Sequence, residues 1–341
     1  MDPHEQREVV VITGATAGVG RATARAFAKR GACVGLLARD AERLEATRSE
    51  VDALGGKAFP ISIDVADAAA VERAADQIEA QLGEIDIWIN AAMVTIVAPL
   101  DEITPDEFKR VTDVTYLGNV NGTMAALKHM LPRDRGTIVQ VSSALAYHSV
   151  PLQSPYCGAK HAINGYTESL RSELMHRNSG VRVSTVDMPG LNTPQFDWAL
   201  NRMPKRPRPV APVYQPEVAA RAIVWAAHHH RERLYVGLSS LLMIWADKFA
   251  PGLLDRYMAK SAISGQMTGE PADPEHPDNL WQPVSGDHGA RGRFSGEAHE
   301  HSIQFWATTH RSWLMMVGTA VAAGAVYAGI HRKRRRFRLL K

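Results

Sequence analysis

The run Val9-Val10-Val11-Ile12-Thr13-Gly14-Ala15-Thr16-Ala17-Gly18-Val19-Gly20 decides the fold. It opens with a β-branched stretch, turns on glycines, and passes into a helical pattern that lasts to about Arg30. Strand, Gly-rich turn and helix in that order make the first half of a βαβ unit. Glycines let backbone approach a phosphate closely. The helix N-terminus behind them offers free N–H groups and the positive end of its dipole. A glycine cluster alone can be only a tight turn; here its strand and helix context is complete, and it reads as a phosphate-binding turn.

Outward from this turn, short β-branched runs alternate with helical patterns over residues 1–240. Strands are expected at Val9–Thr13, Cys33–Ala38, Ala58–Ile63, Ile85–Asn90, Thr137–Ser142, Val181–Val186 and Leu234–Val236. Several are apolar on both faces, as in a parallel sheet covered by helices on each side. Thr104-Pro105-Asp106-Glu107 reads as a helix start, with Thr104 as cap, Pro105 in the first position and Glu107 completing a capping box.

Tyr156-Cys157-Gly158-Ala159-Lys160 puts a phenol and an ammonium one helical turn apart on one face. A free tyrosine, with a pKa of about 10, is a poor base at neutral pH. A neighbouring cation favours phenolate. Ser143 ends the strand Gln140-Val141-Ser142-Ser143, thirteen residues before Tyr156.

With these three residues in register behind a TGxxxGxG turn, residues 7–240 resemble the short-chain dehydrogenase/reductase family. The resemblance implies an α/β, Rossmann-type doubly wound parallel sheet of order 3-2-1-4-5-6-7, followed here by a C-terminal helical extension. It implies hydride transfer between a nicotinamide cofactor and a carbonyl/alcohol substrate. Ser143 would orient the substrate oxygen and Tyr156 would exchange its proton. Lys160 would lower the Tyr156 pKa and hold the nicotinamide ribose. The cofactor set would be Gly14, Thr16, Gly18, Val19 and Gly20 in the turn, Asp64 and Val65 at the adenine, and Asn90, Lys160, Pro189, Gly190 and Thr193. Asn90 can alternatively brace the sheet interior. The spacing from Pro189 to Thr193 is one residue shorter than the commoner PGxxxT.

The second strand ends Ala38-Arg39-Asp40. Ala38 stands where NAD-preferring relatives often carry Asp, and Arg39 suits a 2′-phosphate. The residues therefore favour NADP(H), with NAD as the alternative; a solvated Arg39 beside an Asp40 helix cap is the plainer reading. Met93 replaces a family glycine near the nicotinamide. Thr115 stands where the family's relay asparagine is expected. Both departures favour a rival reading, a catalytically silent, membrane-attached cofactor sensor or scaffold. Residues 191–214 should form a lid, and Leu145, Tyr147, His148 and Leu152 come from the loop before Tyr156. Their apolar lining suits an apolar substrate.

Hydrophobic residues make up 45% of the 341, enough for a sizeable core. Cys33 and Cys157 give no disulfide framework and read as packing residues. His228-His229-His230 are consecutive and do not share a helix face, so no metal site is expected. The net charge of +3 conceals +7 in residues 332–341, leaving about −4 elsewhere and no nucleic-acid footprint. Residues 241–311 read as an extension with a Gly/Pro/His-rich arm. Residues 312–331 read as a membrane helix: Ser312–Ile330 is uncharged, roughly 28 Å long if helical, against a ~30 Å hydrocarbon core. The basic tail 332–341 suits anionic headgroups. The expectation is a membrane-associated protein with a cytoplasmic catalytic domain, although tail and body cannot share that side if the helix spans once. The family resemblance also admits a homodimer.

Overall fold

The computed structural model describes residues 7–319 and Tyr327. Its main sheet contains β1 (Val9–Thr13), β2 (Cys33–Ala38), β3 (Lys57–Ser62), β4 (Ile87–Asn90), β5 (Gly136–Ser143), β6 (Val181–Met188) and β7 (Arg233–Tyr235). The strands are parallel and lie in the order 3-2-1-4-5-6-7. This is the order anticipated, with ends shifted by one or two residues. The order reverses at β1 and β4, so a crevice opens beyond their carboxyl ends.

The helices that matter for the site are α1 (Gly18–Ala28), α2 (Ala41–Ala53), α3 (Ala68–Leu82), α4 (Pro105–Val111), α5 (Gly118–Met130), α6 (Ser154–His176) and α7 (Pro216–His228). Alternation along β1 explains its unbroken apolar sequence. Val10 and Ile12 enter one core layer with α1, α2 and α7; Val9 and Val11 enter the other with α3 and α5. Each fully buried aliphatic side chain contributes about 1.5–3 kcal/mol, so both faces of the strand hold the sheet in place. Thr104 and Glu107 form the expected capping box at α4. Cys33 and Cys157 are buried.

Beyond β7, α8 (Leu238–Phe249) and α9 (Pro251–Gly265) form a helical pair. The Gly/Pro/His-rich stretch after them is not a free arm. Residues 272–301 run back across the carboxyl edge of the sheet as a strap. Leu280 is 0% exposed and joins the core layer on the α3 and α5 side. Arg21 of α1 is buried and binds Glu50 at 2.9 Å and the strap's Asp287. Asn192 Oδ1 accepts from the Phe294 N–H at 2.9 Å. A linker composition hid this packing because the anchoring partners, among them Arg21, Glu217 and Arg208, stand far away in sequence.

A short helix, Ile303–Thr309, follows, and residues 311–319 are again helical. Of the expected membrane segment 312–331, only residues 312–319 and Tyr327 are described; the rest, with the basic tail 332–341, lies outside the described residues. Among the described residues, no helix is long and apolar enough to cross a membrane.

Candidate active site

The turn between β1 and α1 requires its glycines. Gly14 has φ +69°, and a Cβ there would stand 2.7 Å from Ala92 Cα. A Cβ on Gly20 would stand 2.1 Å from the Gly14 carbonyl oxygen. Ala17, at the cap of α1, supplies no capping side chain. The first N–H groups of that helix are thus left for a ligand, except that Gly18 N–H donates to the strap's Gly289 carbonyl at 3.3 Å.

This turn forms one wall of a cavity of about 1010 Å³ at the carboxyl ends of the strands. Gly14, Thr16, Gly18, Val19, Gly20, Arg39, Asp64, Val65, Ser143, Tyr156, Lys160, Pro189, Gly190 and Thr193 all line it. Residues scattered over 180 positions of sequence are therefore brought to one space. Asn90 is not among them. Its side chain accepts from Trp88 Nε1 at 2.9 Å and donates to Gln140 at 2.9 Å and Thr123 at 3.0 Å. Of the two readings of Asn90, its side chain shows the bracing one: the amide is consumed in holding β4 against β5 and α5.

Tyr156 and Lys160 open α6 and point to the same wall. Lys160 Nζ lies 5.4 Å from the Tyr156 ring centroid and donates to the Val141 carbonyl at 2.7 Å. Burial raises the Tyr156 pKa, against a hydrogen bond with Ser143 that pulls it down. Burial lowers Lys160 to about 8, with Asp187 pulling the other way. Asp187 on β6 accepts from the Tyr147 hydroxyl at 3.0 Å, and Arg233 binds that hydroxyl in turn. Burial pushes Asp187 up to about 6. Burial thus leaves Tyr156 a poor base; an added cation beside it would reverse that. Cys157 next door is buried, and burial pushes its thiol up, which suits packing rather than nucleophilic attack.

At the far end, Asp40 caps α2 and pairs with Arg43, and Asp64 pairs with Arg110 at 2.5 Å. Among the described residues, no carboxylate lies within ion-pair distance of Arg39. Its guanidinium donates to the strap carbonyls of Asn279 at 2.6 Å, Trp281 at 3.0 Å and Leu280 at 3.4 Å. These carbonyls orient the cation without neutralising it. Burial and the neighbouring charges of Arg110 and Arg43 lower its pKa.

The strap itself contributes Asn279 and Pro283 to the cavity, and α8 and α9 contribute Leu242, Met243, Leu254 and Met258. Sequence reading missed these because apolar helix residues after the last strand carry no motif. Met93 lines the cavity, as its position suggested. Thr115 does not line it. The Thr115 hydroxyl donates to the Val94 carbonyl at 2.9 Å and accepts the Val94 N–H at 3.1 Å, stapling the loop after β4. Its proton is not free for a water.

The pattern of the short chain dehydrogenase family matches residues 8–203. An oxidoreductase of Bacillus subtilis (strain 168), YxnA, described as uncharacterized, is 32% identical over 94% of this chain and 89% of its own. Dehydrogenase/reductase SDR family member 7B of Bos taurus is 36% identical over 77% of this chain and 83% of its own. A putative oxidoreductase of Mycobacterium tuberculosis, SadH, is 32% identical over 68% of this chain and 87% of its own. The glycine turn, the sheet order and the Tyr156–Lys160 pair therefore sit in a chain that belongs to the short-chain dehydrogenase/reductase family of oxidoreductases.

Proposed function

We propose that the protein transfers hydride between NADP(H) and an apolar carbonyl/alcohol pair. The observation that carries this reading is the convergence of Ser143, Tyr156 and Lys160 on a cavity that the phosphate-binding turn also lines. The nicotinamide ring, when bound, supplies the hydride acceptor or donor. The chain supplies the rest. Ser143 donates a hydrogen bond to the substrate oxygen. Tyr156 takes the alcohol proton as the C–H electron pair leaves, or returns it to the forming alkoxide in the opposite direction. The ammonium of Lys160 favours phenolate on Tyr156 and holds the ribose hydroxyls.

The residues fit such a cofactor. The uncapped start of α1 and the close-packed glycines make a cradle that any larger side chain would fill. Arg39 supports NADP(H) over NAD: three guanidinium groups there face two carboxylates, and the unmatched cation suits a 2′-phosphate. Arg39→Ala should weaken NADPH binding by about tenfold or more and spare NADH, in line with a lost charge-assisted bond. Parallel fluorescence titrations check this, and equal loss of both cofactors would remove the preference.

Lys160 carries a pH dependence with a definite sign. Its proton is held below a pKa of about 8 and is lost as pH rises through that value. Cofactor affinity of the free protein should therefore fall across that range. Lys160→Arg keeps its charge and should flatten the fall. The same slope in both proteins would take Lys160 out of the cofactor site.

A cofactor-binding scaffold without turnover is the second reading, favoured by the Thr115 hydroxyl being spent on Val94. Cofactor binding with no redox reaction over a panel of ketones, aldehydes and alcohols would support it. The uncharged stretch 312–330 and the +7 tail further support attachment to a membrane.

A further inference from the structure

The helical pair after the last strand turns its apolar side outward. Leu238, Leu242, Trp245 and Phe249 recur along α8 at spacings of four, three and four, which places them on one face. That face is the solvent side: Phe249 is 74% exposed and Trp245 56%. Leu253 and Tyr257 continue it on α9. A surface helix normally turns such a stripe to the core. Here polar hooks hold the inner side instead. His148 Nδ1 meets Asp247 at 2.9 Å, and its Nε2 lies 3.6 Å from the exposed carboxylate of Asp255. Gln266 accepts from Gln153 at 2.7 Å and donates to the Pro151 carbonyl at 3.0 Å.

The cavity reaches the same stripe. Leu242 and Tyr257 are exposed and also line it. Lys248, Arg256 and Lys260 stand exposed on the same pair, with no ion pair among the described residues.

We propose that α8 and α9 seat on a lipid bilayer bearing anionic headgroups, and that the cavity opens into it. The substrate would then be an apolar carbonyl or alcohol dissolved in the membrane, a statement that rests on the oxidoreductase reading. Exposed aromatic and aliphatic side chains enter the headgroup boundary while flanking cations meet phosphate. A second copy of the chain fits less well, because a two-fold contact would bring together surfaces that each carry three exposed cations against one exposed carboxylate, Asp255. The uncharged stretch and basic tail at the end of the chain would hold the body near such a surface.

The test uses the full chain with phosphatidylcholine–phosphatidylglycerol vesicles, following amide hydrogen exchange over residues 238–260. The comparison is the triple variant Trp245→Ser, Phe249→Ser, Leu253→Ser, none of which lines the cavity. Vesicles should slow exchange in the parent by about fivefold or more and leave the variant unaffected. The variant should keep its rate on a short water-soluble aldehyde and lose about tenfold on a long-chain aldehyde held in vesicles. No slowing in the parent, or equal slowing in the variant, overturns the proposal. So does slowing that appears without vesicles as protein concentration rises, which would mark a second copy. Slowing that the variant abolishes, with neither aldehyde turned over, upholds the bilayer surface and overturns the oxidoreductase reading together with the substrate route.

Discussion

Tyr156→Phe should lower turnover by about 10²–10⁴-fold, the range for removing a general acid–base group. The change deletes one oxygen. The ring keeps its place beside Lys160 Nζ, 5.4 Å from the centroid, and α6 keeps its packing. Cofactor affinity should stay within about threefold, because Lys160 and the glycine turn are untouched. Initial rates with a responsive aldehyde and NADPH titration of the same sample check both halves. Unchanged turnover would mean that another group moves the proton. Joint loss of binding and turnover would mean that the hydroxyl is structural.

Leu280→Ala should free the strap and speed NADPH release by about 30-fold or more. Leu280 is fully buried, and truncating such a side chain costs roughly 2–5 kcal/mol. That cost falls on a segment with little regular secondary structure, so it opens the strap before it unfolds the sheet. The carbonyls that orient Arg39 sit at residues 279–281, and the Gly289 carbonyl takes the Gly18 N–H. Loosening one residue therefore disturbs both ends of the proposed dinucleotide site. A stopped-flow chase of bound NADPH measures the release rate, and limited proteolysis shows whether 272–301 has become cleavable. An unchanged release rate with a cleavable strap would place the strap outside the exchange path.

The parts of the fold legible in the sequence are those with local signatures. The strand–turn–helix at Val9–Gly20 announces itself through glycine spacing, and Tyr156 and Lys160 through the period of a helix. The capping box at Thr104 is equally local. Asn90 was ambiguous because its position suits either a bracing amide or a ribose contact, and only its neighbours Trp88, Thr123 and Gln140 decide. The role of Thr115 depends on Val94, whose backbone occupies its hydroxyl and which no local pattern at 115 announces. The strap was illegible for a deeper reason. Some of its contacts run through main-chain carbonyls, which every residue possesses, and others through pairs such as Arg21–Asp287 and Arg208–Glu297 whose partners stand far apart in the chain, so its composition describes a loop and does not reveal adhesion. The outward stripe on α8 is an amphipathic pattern like any other, and sequence alone does not tell which way it faces.

The Arg21 contacts have a practical side. One guanidinium, almost wholly shielded from water, is gripped by carboxylates that stand 29 and 266 positions away. The stretch matched by the family pattern stops at residue 203, long before the second of them. A version trimmed to that stretch would leave the cation half-partnered and uncover the hollow occupied by Leu280. Anyone shortening this polypeptide for crystals or display should therefore keep it whole through at least Glu300, whose carbonyl accepts from Arg221 at 2.6 Å.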